Sequence, residues 1–405
     1  MELTSKLPRQ SIMPITLLSL VFFIWGLLTS LNSMLVPFLR EAFLLNHVES
    51  MYIQLAFYIA PFLVCLPTAY IMGKKGYVSV IQLSLGLLTL GCFLFVPAAS
   101  LFSYPLFLLA IFVLASGIAA LQVAANPFAV SLGSADTAAS RLTFCSSVNS
   151  VGTTLASALG MGVFMAALVR GAEEAVGAVQ LPYMVMGGGA LLLAVLFRLL
   201  PKQADDKSTL ADSHWQDLLS HRTFVFGALA IFCYVGVEVA LGTFLISYLT
   251  SGEVLSLASS NAGVFVSLYW GGALIGRLFG SVVLKKVNAT KILMLNAVVA
   301  IGLVISAIVF PGVLGAWCLT LVGLCNSVMY PVIFSMAVKG LGALAGKASA
   351  VLIMCGVGGG AVPLIQALLA DSRGLVLSFA VPMIGYAVIL SFALCSNKLA
   401  IAKRR

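Results

Sequence analysis

From residue 12 to residue 396 the chain alternates long apolar stretches with short polar breaks. A helix rises 1.5 Å per residue, so about 20 mostly apolar residues match the hydrocarbon thickness of a bilayer. Reading from one polar break to the next gives twelve such spans, approximately 12–39, 50–72, 78–100, 104–133, 140–169, 181–197, 223–250, 261–284, 291–311, 314–338, 347–370 and 375–396. Only 9% of residues are charged and 61% are hydrophobic, against roughly 25% charged in soluble domains. This pattern predicts an all-α membrane protein with twelve transmembrane helices. The first stretch is too long for the apolar core of a cleaved leader and is followed by Arg40 and Glu41, so it reads as the first span.

An even number of spans puts both termini on one side, and the distribution of Lys and Arg selects the side. With the termini cytoplasmic, eighteen of the 22 cations fall inside; Arg40, Arg170 and Arg373 lie outside, and Arg277 falls within a span. The net charge of +9 therefore sits on cytoplasmic loops facing anionic membrane lipid. Nucleic acid is not needed to account for it. The eight cysteines lie within or at the ends of spans, with no CxxC pair and no nearby histidine, and read as small core residues.

The longest polar stretch, 201–222 ("PKQADDKSTLADSHWQDLLSHR"), divides the spans six and six. It reads as a cytoplasmic linker, with a short surface helix at 212–220, between bundles at 1–200 and 223–405. A shift of 204 residues lays "QVAANPF" over "NSVMYPV", so that Gln122, Asn126 and Pro127 fall on Asn326, Tyr330 and Pro331, and Gly152 falls on Gly356. At a shift of 211, "YIMGKKGY" (70–77) echoes "SVVLKKVN" (281–288). These echoes predict two pseudo-symmetric six-helix halves, a layout that places substrate near the membrane midplane between the repeats. Gln122 and Asn126 are four residues apart and share a helical face. Carboxamides there can donate and accept to a solute rich in hydroxyls, or join helices.

Glu238 is the one acid deep in a span, in "CYVGVEVALGTF", and Arg277, in "YWGGALIGRLFG", the one deep cation. Ionisable groups at that depth pair or line a hydrated path, so these two are expected partners, either as a proton or sodium switch or as a static lock between the seventh and eighth spans. Further polar candidates are Trp25, Asn32 and Ser33 in the first span, Gln54 and Tyr58 in the second, Ser146 and Asn149 in the fifth, Tyr269 and Trp270 in the eighth and Gln366 in the eleventh. Glycine clusters at 186–192, 270–276 and 356–363 suit close helix packing. The last lacks the lysine and hydroxyl of a phosphate-binding loop.

"GIAALQVAANPFAVSLGSADTAASRL" (117–142), "NSVGTT" (149–154), "YVGVEVALGTFLISYL" (234–249) and "YWGGALIGRLFGS" (269–281) resemble motifs of one transporter family, in order and position. So do "LVGLCNSVMYPVIFSMAVKGLG" (321–342), "GGGAVPLIQALLAD" (358–371) and "IQLAFYIAPFLVCLPTAY" (53–70). The family is the fucose/galactose/glucose:proton symporter family of the major facilitator superfamily, and the resemblance is strongest to its glucose/galactose branch. It implies the major facilitator fold, in which two six-helix bundles expose a central hexose site alternately to each side, and symport driven by a cation gradient. Gln122, Asn126, Asn149, Glu238, Arg277 and Asn326 fall on matching motif positions. The chain departs from the family at Ser33, where the family usually has an aspartate, and at Thr143 and Ser146 in "LTFCSSVNS", where it usually has an Asn and a Gln. "MGKKGY" also lacks the aspartate of the superfamily's loop.

The expectation is a secondary transporter of the inner membrane that moves a hexose or related sugar as a monomer, with a proton or sodium gradient and no cofactor or metal. Asn32, Gln54, Gln122, Asn126, Ser146, Asn149, Trp270, Asn326 and Tyr330 are the candidates to contact the sugar, and Glu238 and Arg277 to couple or gate. The substituted positions leave a second reading: a transporter or exporter of a non-sugar polar solute, or an uncoupled uniporter. An enzyme is disfavoured because His47, His214 and His221 all lie outside the spans, which carry no paired acids.

Overall fold

The computed structural model describes residues 12–45, 47–168, 176–200, 215–252, 254–257 and 259–402, and the regular elements among them are all helices. The first half holds α1 (Ile12–Ala42), α2 (His47–Ser100), α3 (Tyr104–Ser131), α4 (Ala138–Leu168) and α5 (Gln180–Leu196). A short α6 (Trp215–Ser220) occupies the end of the expected linker. The second half holds α7 (Arg222–Thr250), α8 (Ser259–Val283), α9 (Ala289–Val309), α10 (Val313–Asn326), α11 (Met329–Val338), α12 (Ala345–Met354), α13 (Gly358–Arg373), α14 (Leu375–Ser378) and α15 (Ala380–Ala402).

Ten helical segments among the described residues are long and apolar enough to cross a membrane. One of them, Leu55–Ser100, runs for 46 residues, about 69 Å at 1.5 Å per residue and more than twice a bilayer core of roughly 30 Å. Gly76 interrupts it with φ 83° and ψ 175°, a backbone conformation that glycine reaches without steric penalty. That turn separates the second span from the third. The fifth span is α4, whose first half carries Ser140, Thr143, Ser146, Ser147, Asn149, Ser150, Thr153 and Thr154 and whose side chains from residue 157 to 168 lie outside the described residues. Several of these hydroxyls bond back to the preceding turn, Ser150 Oγ to the Ser146 carbonyl at 3.0 Å and Thr154 Oγ1 to the Ser150 carbonyl at 2.8 Å, so the helix satisfies them internally. With α2 divided and α4 added, the ten become twelve.

The chain clusters into two compact units. The first comprises Met1–Gly133, Cys145–Ser213 and Gly342–Ile353; the second comprises Ser134–Phe144, His214–Leu341 and Met354–Arg405. In the first unit α1 and α4 meet backbone to backbone: a Cβ on Gly26 would overlap the Asn149 carbonyl, and one on Gly152 the Phe23 carbonyl. In the second, a Cβ on Gly358 would overlap the Phe232 carbonyl, and one on Gly236 the side chain of Val362, which locks α7 against α13. Within the glycine run 356–363, Gly358 and Gly359 thus pack against α7, whereas a Cβ on Gly356 or Gly360 would meet nothing within 4 Å; close van der Waals approach of this kind holds helices together where lipid removes the hydrophobic drive between them. The eight cysteines are free thiols; five are buried, but Cys395 is exposed and is no core residue.

Candidate functional site

The second unit builds its polar centre on α7. Tyr234 and Glu238 lie one turn apart on the same face, and the Tyr234 hydroxyl donates to Glu238 Oε1 at 2.7 Å. From α8, Arg277 Nη2 reaches the same oxygen at 3.2 Å, with side-chain exposures of 17% for Arg277 and 15% for Glu238. The expected ion pair is therefore formed, and one carboxylate oxygen receives two donors. Charge-assisted bonds of this kind are about twice as strong as neutral ones, and they offset the penalty of placing both charges at membrane depth.

The tenth span supplies the other half of the centre because it is broken. α10 ends at Asn326 and α11 starts at Met329. Pro331 has no N–H, so the carbonyl four residues earlier, that of Ser327, has no helical donor. Arg277 Nε donates to that carbonyl at 3.2 Å, and the Tyr234 hydroxyl also lies 3.1 Å from the Asn326 carbonyl. Arg277 thus bridges Glu238 to the break, and the single Tyr234 hydroxyl proton can go to either Glu238 or the Asn326 carbonyl. The matching proline of the first half, Pro127, lies inside α3 without breaking it.

The Asn326 side chain is enclosed by tyrosines. Its Nδ2 donates to the Tyr269 hydroxyl at 2.9 Å, its Oδ1 accepts from the Tyr386 hydroxyl at 2.6 Å, and the Tyr269 hydroxyl donates onward to the Glu238 backbone carbonyl at 3.1 Å. Asn326, Tyr234, Tyr269 and Tyr386 are all 1% exposed or less. In this structure, then, the Asn326 carboxamide organises α7, α8, α10 and α15 around Glu238. Tyr234 and Tyr386 were not singled out from the sequence. Spacing of four from Glu238 could have flagged Tyr234, but Tyr386 is 60 residues from its partner and carries no local signal. Trp270, 45% exposed, stands beside Tyr269 edge to face with ring centroids 5.2 Å apart. Tyr330 is half-buried, its ring 6.1 Å from that of Tyr234.

In the first unit, Asn126 is fully buried on α3 and Gln122, one turn before it, is half-buried. Asn149 Nδ2 donates to the Phe22 carbonyl at 2.9 Å, so this amide joins α4 to α1. Ser146, half-buried, lies one turn earlier on α4. Asn32 is 5% exposed and its Oδ1 is buried with no hydrogen-bond partner among the described residues. The side chains of Ser33, Gln54 and Tyr58 lie outside the described residues. Gln366, in the second unit, donates through Nε2 to Ser378 Oγ at 3.3 Å.

The second unit therefore holds a titratable carboxylate at membrane depth, a guanidinium shared between that carboxylate and a helix break, and an aromatic rim. Such a cluster can take up or release a proton and convert the change in charge into a change at the break. The sequence profile described as Major Facilitator Superfamily matches residues 17–364. The chain is 41% identical over 387 residues to a glucose/galactose transporter of Brucella abortus, an alignment covering 95% of this chain and 94% of that one. It is 31% identical to the L-fucose-proton symporter of Escherichia coli, with 95% and 93% covered. A crystal structure of the E. coli fucose:proton symporter superposes with a TM-score of 0.88 at 30% identity, covering 96% of this chain and 99% of that one. The helices, the two-unit organisation and these matches place the chain in the Major Facilitator Superfamily, within its fucose/galactose/glucose:proton symporter family.

Proposed function

We propose that the chain is a sugar:proton symporter of the inner membrane, with both termini cytoplasmic, that moves a hexose of the glucose or galactose type by alternating access. The observation that carries this reading is the Glu238 cluster: a lone deep acid, paired with Arg277 and joined through the same guanidinium to the broken tenth span. The 41% identity to a glucose/galactose transporter and the 31% identity to an L-fucose-proton symporter support a sugar as substrate and a proton as driving ion. The cytoplasmic excess of Lys and Arg supports the orientation. The protein does its work as a monomer without a resident cofactor, and its activity is transport, not covalent chemistry.

Within this reading, Asn32 and Gln122 supply the carboxamides that meet the sugar hydroxyls in the first unit, with Asn126 and Ser146 beside them, Asn149 fixing α4 to α1, and Gln54 on the second span. Trp270 and Tyr330 offer aromatic faces. Asn326 acts through the tyrosines it orders. Exchange of labelled glucose, galactose and fucose across proteoliposomes tests the proposal. Saturable exchange of at least one hexose is expected, and exchange of all three at the rate of protein-free vesicles would overturn it.

Ser33, Thr143 and Ser146 favour a second reading, a uniporter or a carrier of a non-sugar solute, because a hydroxyl reaches less far than a carboxamide and does not titrate near neutral pH. A sugar flux indifferent to an imposed pH gradient would select the uniporter.

A further inference from the structure

A groove of about 560 Å³ lies in the first unit between the two arms of α2. Leu63, Pro67 and Ile71, spaced four apart on the ascending arm, face Leu83, Leu87 and Leu90 on the returning arm. Leu63, Leu83 and Leu90 remain more than half exposed. Of the three polar side chains along it, Thr68 is buried, Gln82 Nε2 donates to the Ala194 carbonyl and Ser84 Oγ donates to the Val80 carbonyl. Small residues give the groove its depth. Ala120 of α3 lines it, and a Cβ added at Gly86 would meet no atom within 4 Å.

One end of this apolar channel is strongly basic. Lys74 and Lys75 follow Ile71 by three and four residues, one helical turn further on, immediately before the turn at Gly76. Both are exposed. Lys74 Nζ lies 4.3 Å from the centroid of the Tyr70 ring, and neither lysine has a carboxylate partner among the described residues. The sequence offers none locally, since no Asp or Glu occurs from Met51 to Ala135. Two adjacent cations with no counter-ion among the described residues, one helical turn beyond an acyl-sized apolar groove, describe a receptor for a molecule with an anionic head and a hydrocarbon tail.

We propose that this groove binds one anionic phospholipid, its acyl chain between the arms of α2 and its phosphate on Lys74 and Lys75. The site is separate from the Glu238 cluster, which belongs to the second unit.

The test is native mass spectrometry of the purified full chain titrated with phosphatidylglycerol or phosphatidylcholine, for the wild type, K74Q/K75Q and G86L. The wild type is expected to retain phosphatidylglycerol over phosphatidylcholine by roughly thirtyfold, the preference set by two lysines near a membrane surface. K74Q/K75Q is expected to lose that preference while still taking up lipid. G86L, which fills the groove and places a better helix former in α2, is expected to lose retention of both lipids. An undiminished preference in K74Q/K75Q, or full retention in G86L, would overturn the proposal. So would thermal stabilisation of the wild type by inorganic phosphate equal to that by phosphatidylglycerol, because the site would then be one for a free anion.

Discussion

Arg277 holds Glu238 and the tenth span at once: its Nη2 lies 3.2 Å from Glu238 Oε1 and its Nε 3.2 Å from the Ser327 carbonyl. The carbonyl is available because Pro331, four residues on, has no N–H to give. A proline that looks misplaced in an apolar span thus creates the acceptor that ties a helix break to a charge pair.

Restoring the missing donor should loosen that tie. Pro331→Ala lets residue 331 compete with Arg277 for the Ser327 carbonyl and removes a residue unfavourable to helix. We expect thermal stability equal to or above the wild type, with transport slowed about tenfold, equivalent to about 1.4 kcal/mol on a barrier. Lower stability together with unchanged transport would count against the assigned role of the break.

Removing one partner of the ion pair leaves the other uncompensated. Arg277→Gln should lower stability by about 2 kcal/mol or more, less than the about 3–5 kcal/mol of a fully buried pair because both side chains keep some exposure. The double variant with Glu238→Gln should recover part of the loss. Thermal unfolding of the four proteins gives the interaction energy, and strictly additive losses would show that the pair contributes nothing.

Asn326→Ala should be costly out of proportion to its size. It strands the Tyr386 hydroxyl and removes a donor from the Tyr269 hydroxyl, and each buried polar group left unsatisfied costs about 1–3 kcal/mol. Asn326→Ala/Tyr386→Phe removes one stranded group and is expected to unfold at a higher temperature than Asn326→Ala alone.

Two glycines close to the site provide a contrast. A Cβ on Gly323 would land on the Tyr269 carbonyl, whereas one on Gly271 meets nothing within 4 Å. Gly323→Ala is expected to separate α10 from α8, losing about 1–3 kcal/mol of stability and most transport. Gly271→Ala should be neutral or slightly stabilising in an assay of both properties.

Much of this architecture is legible in the sequence because membrane insertion imposes simple rules. Span lengths follow from bilayer thickness, the turn at "MGKKGY" from two lysines and a glycine, and the Glu238–Arg277 pair from the rarity of deep charges. Other features depend on contacts between distant segments. The shift of 204 identifies Asn326 as part of a polar helical face, but periodicity does not distinguish a face that meets solute from one that meets tyrosines. The same shift aligns Pro127 with Pro331, yet only the second unit breaks its helix. No charged residue stands in the first two spans, 12–39 and 50–72, to supply the donors that α7 and α8 provide. Tyr386 was invisible for the same reason, its function being defined by a partner 60 residues away.

The central claim is that Glu238 couples the cation gradient to solute movement, and Glu238→Gln tests it most directly, since the amide keeps an acceptor for Tyr234 while removing the charge and the proton. In proteoliposomes under an imposed pH gradient, with whichever hexose the wild type exchanges, the variant is predicted to exchange sugar but not to accumulate it above the external concentration. Accumulation by Glu238→Gln at the wild-type level would contradict the account.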